Sequence, residues 1–268
     1  MRTISYYFLE SLGTSHPSLF HCLKTSSRSI FPASPKMRNH FGSSELELQE
    51  SPTRWGHQSL NRGADPDESP VHTVTFQRDC FMSETQVTQA QWISIMGYNA
   101  ATHNPDGIPY ETLYGVGNYY PVYRVSWDDV HDFLGAIEPA VGIGPFRLPS
   151  EAERESACRS ATQSRFYFGD SLFPDCHNCS NCPTGWLPGR RSDYMWFCAN
   201  NDTNEFPWGP KEVGLLVPNS FGLHDMHGNQ RDWCADWYHD TYEGAPADGS
   251  AWLVPPTPRP SHQGRQLR

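Results

Sequence analysis

The sequence predicts an α+β fold with two main helices, a short third helix and a few short strands set in much irregular chain. Three observations point there. Two stretches begin on a Ser or Thr cap and continue with apolar residues at helical spacing. Only short runs alternate as strands do. From about residue 160 up to Tyr242 the chain is loop-like and rich in Gly, Pro, Asn and Trp, and the stretch Asn219 to Tyr238 keeps neither a period of two nor one of 3.6.

The chain has 268 residues, which allows one large domain or two small ones and is enough to bury a real core. Hydrophobic residues make up 37% and aromatics 13%, which favours a globular fold although mean hydropathy is −0.63. A formal net charge of −10 argues against a nucleic-acid partner and against an anionic membrane surface. No apolar run reaches the length of a membrane span, and the apolar patch near the N-terminus is cut short by Glu10, too little for a signal peptide. The chain therefore reads as a soluble protein with a protein or peptide ligand as the partner class left open.

Residues 1–37 are rich in Ser, Pro and basic side chains without a sustained period, and read as a disordered or spurious extension. The domain is expected over 38–254. A run from Val71 to Phe76 alternates as a strand, with Val74 and Phe76 on one face. Thr88 with Gln91 forms a capping box, so a helix is expected from Thr88 to Gly97 with Trp92, Ile95 and Met96 inward. After a loop rich in Gly and Pro, 121–126 reads as extended. Ser126 then caps a helix whose Val130, Phe133, Leu134 and Ile137 form one apolar stripe. Ser150 and Glu153 form a second capping box, opening a short helix to Arg159 whose expected inward face is Ala152, Ser156, Ala157 and Cys158. Trp92, Trp127, Trp233 and Trp237 are expected in the core.

The eight cysteines divide into scattered ones and a cluster, Cys176, Cys179 and Cys182 near Cys198. Two C-x2-C turns plus a fourth thiol suit tetrahedral zinc; local disulfides or reduced thiols satisfy the same spacing, and the redox compartment stays open. The iron–sulfur run is excluded, since Trp186 stands where a further cysteine is needed.

Five segments occur in a telling order: Glu84-Thr-Gln-Val-Thr-Gln-Ala-Gln-Trp92, Pro121-Val-Tyr-Arg-Val-Ser-Trp127, Arg147-Leu-Pro-Ser-Glu-Ala-Glu153, Phe168-Gly-Asp170 and Asn219-Ser-Phe-Gly-Leu-His-Asp-Met-His-Gly-Asn229. Together they resemble the formylglycine-generating enzyme, or sulfatase-modifying factor, family over roughly residues 38–242. The resemblance implies a variant C-type-lectin-like fold. It also implies an oxygen-dependent oxidoreductase that converts a protein cysteine to formylglycine, with copper held by two cysteines beyond a Gly-Gly-Ser motif near the C-terminus. No Gly-Gly-Ser motif and no cysteine follow Cys234. The expectation is therefore a domain of this family that is non-catalytic as written and serves as a binding or structural module; the alternative is the oxidoreductase itself or a related oxygen-dependent metal enzyme.

A calcium site is implied as well, with the side chains of Asp225 and Asp232 and the carbonyls of Gly228 and Gln230. A hard cation wants several oxygens converging on one point. Against this stands local backbone capping by the same carboxylates. His224 and His227 are expected to be polar surface or hydrogen-bonding groups rather than ligands. Arg154 and Arg231 stand where the family commonly has tryptophan, so two expected core anchors are charged. After Val254 the chain becomes Pro- and Arg-rich (255–268), which suggests a frameshift or truncation that replaces the closing strands and leaves a sheet edge open.

Overall fold

The computed structural model describes residues 2–3, 8–10, 53–54, 69–76, 80–104, 114–142, 144–164, 166–169, 191–197, 200–201, 208–255 and 266–267. Among the described residues three α-helices carry the regular structure: α1 (Gln89–Met96), α2 (Trp127–Val141) and α3 (Glu151–Arg159). Each begins as its sequence dictates. Thr88, Ser126 and Ser150 are extended cap residues whose side chains accept the N3 amide, while Gln91, Asp129 and Glu153 reach back to the cap amide. Gly97 and Gly142 end the first two helices in the left-handed conformation, as does Ser160 the third. No described helix is long and apolar enough to cross a membrane.

Among the described residues eight short strands form three small sheets. They are β1 (Arg2–Thr3), β2 (Phe8–Glu10), β3 (Thr53–Arg54), β4 (Thr73–Val74), β5 (Cys80–Met82), β6 (Phe146–Arg147), β7 (Arg231–Trp233) and β8 (Gln266–Leu267). The sheet orders are β1-β7-β8, β5-β2-β6 and β3-β4. Among the described pairs only β1 with β7 is parallel; Thr3 faces Asp232 across that pair, and Asp232 faces Leu267 on the antiparallel side. The sheet edge expected to stay open is therefore not open. β7 carries a strand on each side, because the tail returns to its ladder at Gln266–Leu267.

The main core lies between α1 and α2. Trp92, Val130, Phe133 and Ile137 are fully or almost fully buried, joined by Val87, Val122, Val125, Leu148 and Trp233 from the connecting chain. Trp92 stacks on Phe133 with centroids 5.1 Å apart and ring planes 6° from parallel. Each such side chain contributes about 1.5–3 kcal/mol by leaving water. Trp127 sits at the edge of this cluster against Trp233, with centroids 5.7 Å apart. Trp237 is only half-buried and lies outside the cluster, tied instead through its amide to the Trp252 carbonyl at 2.9 Å. Val74 is buried with Phe76 packed near it, as the alternation predicts, but the regular strand is only two residues long.

The third helix departs most from expectation. Its buried residues are Glu151 and Arg154, whereas Ala152, Ser156, Ala157 and Cys158 are only partly covered. Small side chains bury little area, so a helix that must attach firmly here does so through charge pairs and hydrogen bonds with β7 and the chain after it. Of the two arginines in tryptophan positions, Arg154 goes inside and Arg231 is exposed.

Candidate functional site

The irregular loop 219–230 leads into β7, and several of its turns have a local cause. Asn219 is buried and anchors the start. Its Oδ1 accepts the amides of Phe221 and Leu223 at 3.0 and 3.1 Å, and its Nδ2 donates to the Ala157 carbonyl at 2.7 Å, at the end of α3. Gly228 takes φ +95° and lies so close to the Trp196 carbonyl that a side-chain carbon has no room. Asn229, also at positive φ, mimics a strand partner: Oδ1 accepts the Lys211 amide at 2.9 Å and Nδ2 donates to the Lys211 carbonyl at 3.1 Å.

The four residues expected around calcium are all on this loop and strand. Asp225 is buried at positive φ; its Oδ2 accepts the Gly214 amide at 2.8 Å and its Oδ1 is buried without a hydrogen-bond partner. Burial pushes the Asp225 carboxyl up to about 6, against the pull of the Gly214 amide and of His224. Gly228 and Gln230 are half-buried. Asp232 is buried and fully engaged. Its Oδ2 accepts Arg154 Nε at 2.8 Å and Arg154 Nη2, and its Oδ1 accepts Gln86 Nε2 at 3.3 Å. Burial raises the Asp232 carboxyl while Arg154 and Gln86 oppose the rise. An arginine keeps its proton in any protein environment, so the pair is read as ionic.

Asp236, three residues past β7, was not singled out by sequence reasoning. It is buried and joins two elements: Oδ2 accepts the Glu151 amide at 2.7 Å, at the start of α3, and Oδ1 accepts the Trp252 amide at 2.8 Å. Glu151 in turn accepts the Tyr242 hydroxyl at 2.9 Å. Gln89 was missed as well. Fully buried, it donates to the carbonyls of Gly115 and Pro121 and accepts from Asn99 Nδ2 and the Gly117 amide, which fixes the loop 114–121 on α1. A polar residue directly after a helix cap is the one signal the sequence offered for it.

His224 and His227 have separate roles. His224 bonds the Leu216 carbonyl through Nδ1 at 2.8 Å, and its Nε2 stands 3.7 Å from Glu84. His227 is enclosed by Phe166, Tyr167 and Phe168, with the Tyr167 ring stacked on it at 5.3 Å. Burial first, then Arg154 and Arg159, lowers its pKa to about 3, so the ring is neutral at ordinary pH. The Cys158 sulfur lies 3.6 Å from its Nδ1 and 3.5 Å from its Nε2, over the ring rather than along one lone pair. Burial raises the Cys158 thiol, and raises that of Cys234 well above its ordinary value. Neither is activated as a thiolate.

Among the described residues, no three or more His, Cys, Asp or Glu side chains are grouped to hold a metal ion. The expected zinc or disulfide cluster of Cys176, Cys179, Cys182 and Cys198 lies outside the described residues.

With this geometry in view, comparison with known proteins decides the family. The sulfatase-modifying factor enzyme 1-like domain matches residues 51–267, most of the chain, and the match extends into the Pro/Arg-rich tail. The chain belongs to the sulfatase-modifying factor enzyme 1-like family. Within it, the chain is 33% identical over 149 residues to the formylglycine-generating enzyme of Thermomonospora curvata, covering 55% of this chain and 42% of that protein. It is 27% identical over 193 residues to the chaperone protein LppX of Paenibacillus barcinonensis, covering 60% and 63%. Among solved structures it is similar to PvdO from Pseudomonas aeruginosa, with a TM-score of 0.56, 30% identity and 75% and 73% of the two chains covered. The sulfatase-modifying factor chain thus spans less than two thirds of the first curated relatives it matches. Its irregular α+β fold, with three helices and strands of two or three residues among the described residues, is the architecture the five motifs implied.

Proposed function

We propose that this sulfatase-modifying factor domain is a non-catalytic module that binds a protein or peptide partner. The observation that carries the reading is the state of the two described thiols. Copper chemistry of the formylglycine type needs paired, metal-accessible thiolates. Cys158 lies under the His227 ring, Cys234 is completely buried, and burial holds both as thiols.

A binding role has a candidate surface. The loop 114–120 and the chain 208–213 lie against each other: Gly115 abuts Pro210, Gly209 abuts Tyr114, and the Val213 amide donates to the Tyr119 carbonyl at 2.9 Å. This pair of loops carries Val116, Tyr119 and Trp208, all exposed, on a base made rigid by Gln89. Exposed aromatics on a fixed base suit a peptide, and a net charge of −10 favours a basic one. The names of the relatives support a protein partner, since one is a chaperone and others are formylglycine-generating enzymes.

The alternative is the oxidoreductase. Oxygen uptake with added copper and a Cys-x-Pro-x-Arg peptide separates the two. The module reading expects binding of the fluorescently labelled peptide, lost in Tyr119→Ala/Trp208→Ala, and no oxygen uptake above the copper blank. Turnover overturns it, and so does peptide binding that is unchanged in the double variant. The proposed division into 1–37, 38–254 and 255–268 accompanies this reading, as does the proposal of a frameshift in the tail; an Arg-Gly-Gly-Ser-Trp-like segment in another reading frame would support the latter and its absence would remove it.

A further inference from the structure

We propose that the guanidinium of Arg154 does the work of a loop cation, so that the loop 219–230 closes onto β7 without a divalent metal. The oxygen classes that a calcium ion gathers are a carboxylate and loop carbonyls. Here Arg154 takes one of each, the carboxylate of the implied site and a neighbouring carbonyl of the same loop: Nε and Nη2 are both on Asp232 Oδ2, and Nη2 also donates to the Met226 carbonyl at 2.9 Å. The remaining Asp232 oxygen is held by Gln86. A calcium ion at Asp232 would have to displace three hydrogen bonds and sit against a fixed positive charge in a buried site. The residues present do not fit the metal that the family resemblance implies.

The charge count is met at Asp232. A dication would face two carboxylates, Asp225 and Asp232, whereas a guanidinium balances one. The oxygen left without a partner belongs to Asp225, at Oδ1. The position is also the one where a tryptophan would be expected from the five-motif resemblance, and a neutral indole there could not neutralise Asp232. Exchange of a neutral anchor for a cation on α3 therefore removes the need for an ion at Asp232, while Asp225 Oδ1 stays without a partner.

Thermal unfolding of the intact chain in EDTA and in ~5 mM calcium tests this, with terbium luminescence sensitised by tryptophan as a second readout. The wild type is expected to shift by less than ~1 °C and to give no saturable terbium signal. Arg154→Met, with Asp232 no longer neutralised, is expected to lose stability in EDTA and to recover ~5 °C or more in calcium, the response of a newly available site at saturation. If Arg154→Met is unfolded in EDTA, calcium should restore its circular dichroism. A wild type stabilised by calcium overturns the proposal, as does an Arg154→Met protein that calcium neither stabilises nor refolds.

Discussion

Arg154 and Asp232 are buried against each other between α3 and β7, with side chains only 5% and 2% exposed, and the same guanidinium closes onto the Met226 carbonyl. This contact ties the third helix, the 219–230 loop and a sheet in one place. Breaking one half of such a pair leaves a charge buried alone, which costs about 3–5 kcal/mol. Arg154→Ala should fall in that range in urea unfolding without metal. Arg154→Met/Asp232→Leu should recover most of the loss, because both charges leave together.

Trp92 and Phe133 define the α1–α2 contact. Trp92→Ala opens a cavity in a fully buried cluster and should cost about 3–5 kcal/mol. Ile93→Ala, one residue on but exposed, should stay within about 0.5 kcal/mol. Equal effects in denaturant titrations would contradict the assignment of the helix's inner face.

The serine caps are not equivalent. Ser126 is exposed and its Oγ serves only the local box with Asp129, whereas buried Ser150 also donates to the Gly249 carbonyl at 2.7 Å. Ser126→Ala should cost about 0.5–1 kcal/mol, and Ser150→Ala about 2 kcal/mol, since the Gly249 carbonyl also loses its donor. Thermal unfolding of the two variants checks the order.

Gly222 and Gly228 both take positive φ, but only one is enclosed. Around Gly222 there is open space, so Gly222→Ala should cost about 1–2 kcal/mol from backbone strain alone. Gly228→Ala must in addition push the Trp196 backbone away, and should show the larger loss together with changed tryptophan fluorescence.

Cys158 should react slowly. Its thiol is raised by burial above the ordinary value, so the thiolate fraction, and with it the alkylation rate, is small at neutral pH and climbs as pH passes beyond 9. Peptide mapping after iodoacetamide at pH 8 should find Cys158 modified more slowly in the folded protein than in urea. Equal rates would show that the thiol is not confined.

What the sequence determined by itself is local. Thr88, Ser126 and Ser150 with their N3 partners, and the stripe of Val130, Phe133, Leu134 and Ile137, act within one turn or along one helix face, so spacing alone made them legible. The order of five short segments was enough for the family. What only the tertiary structure decided lies between distant residues. The third helix buries Glu151 and Arg154, because Tyr242 and Asp232, 91 and 78 positions away, supply the partners that make buried polar groups tolerable. Periodicity counts a charged residue as outward; its partner is invisible until the chain folds back. The stretch Asn219 to Tyr238 shows both halves of this. Its composition marked an irregular core loop, but whether Asp232 faced an ion or an arginine depended on which side chain of α3 came to lie beneath it.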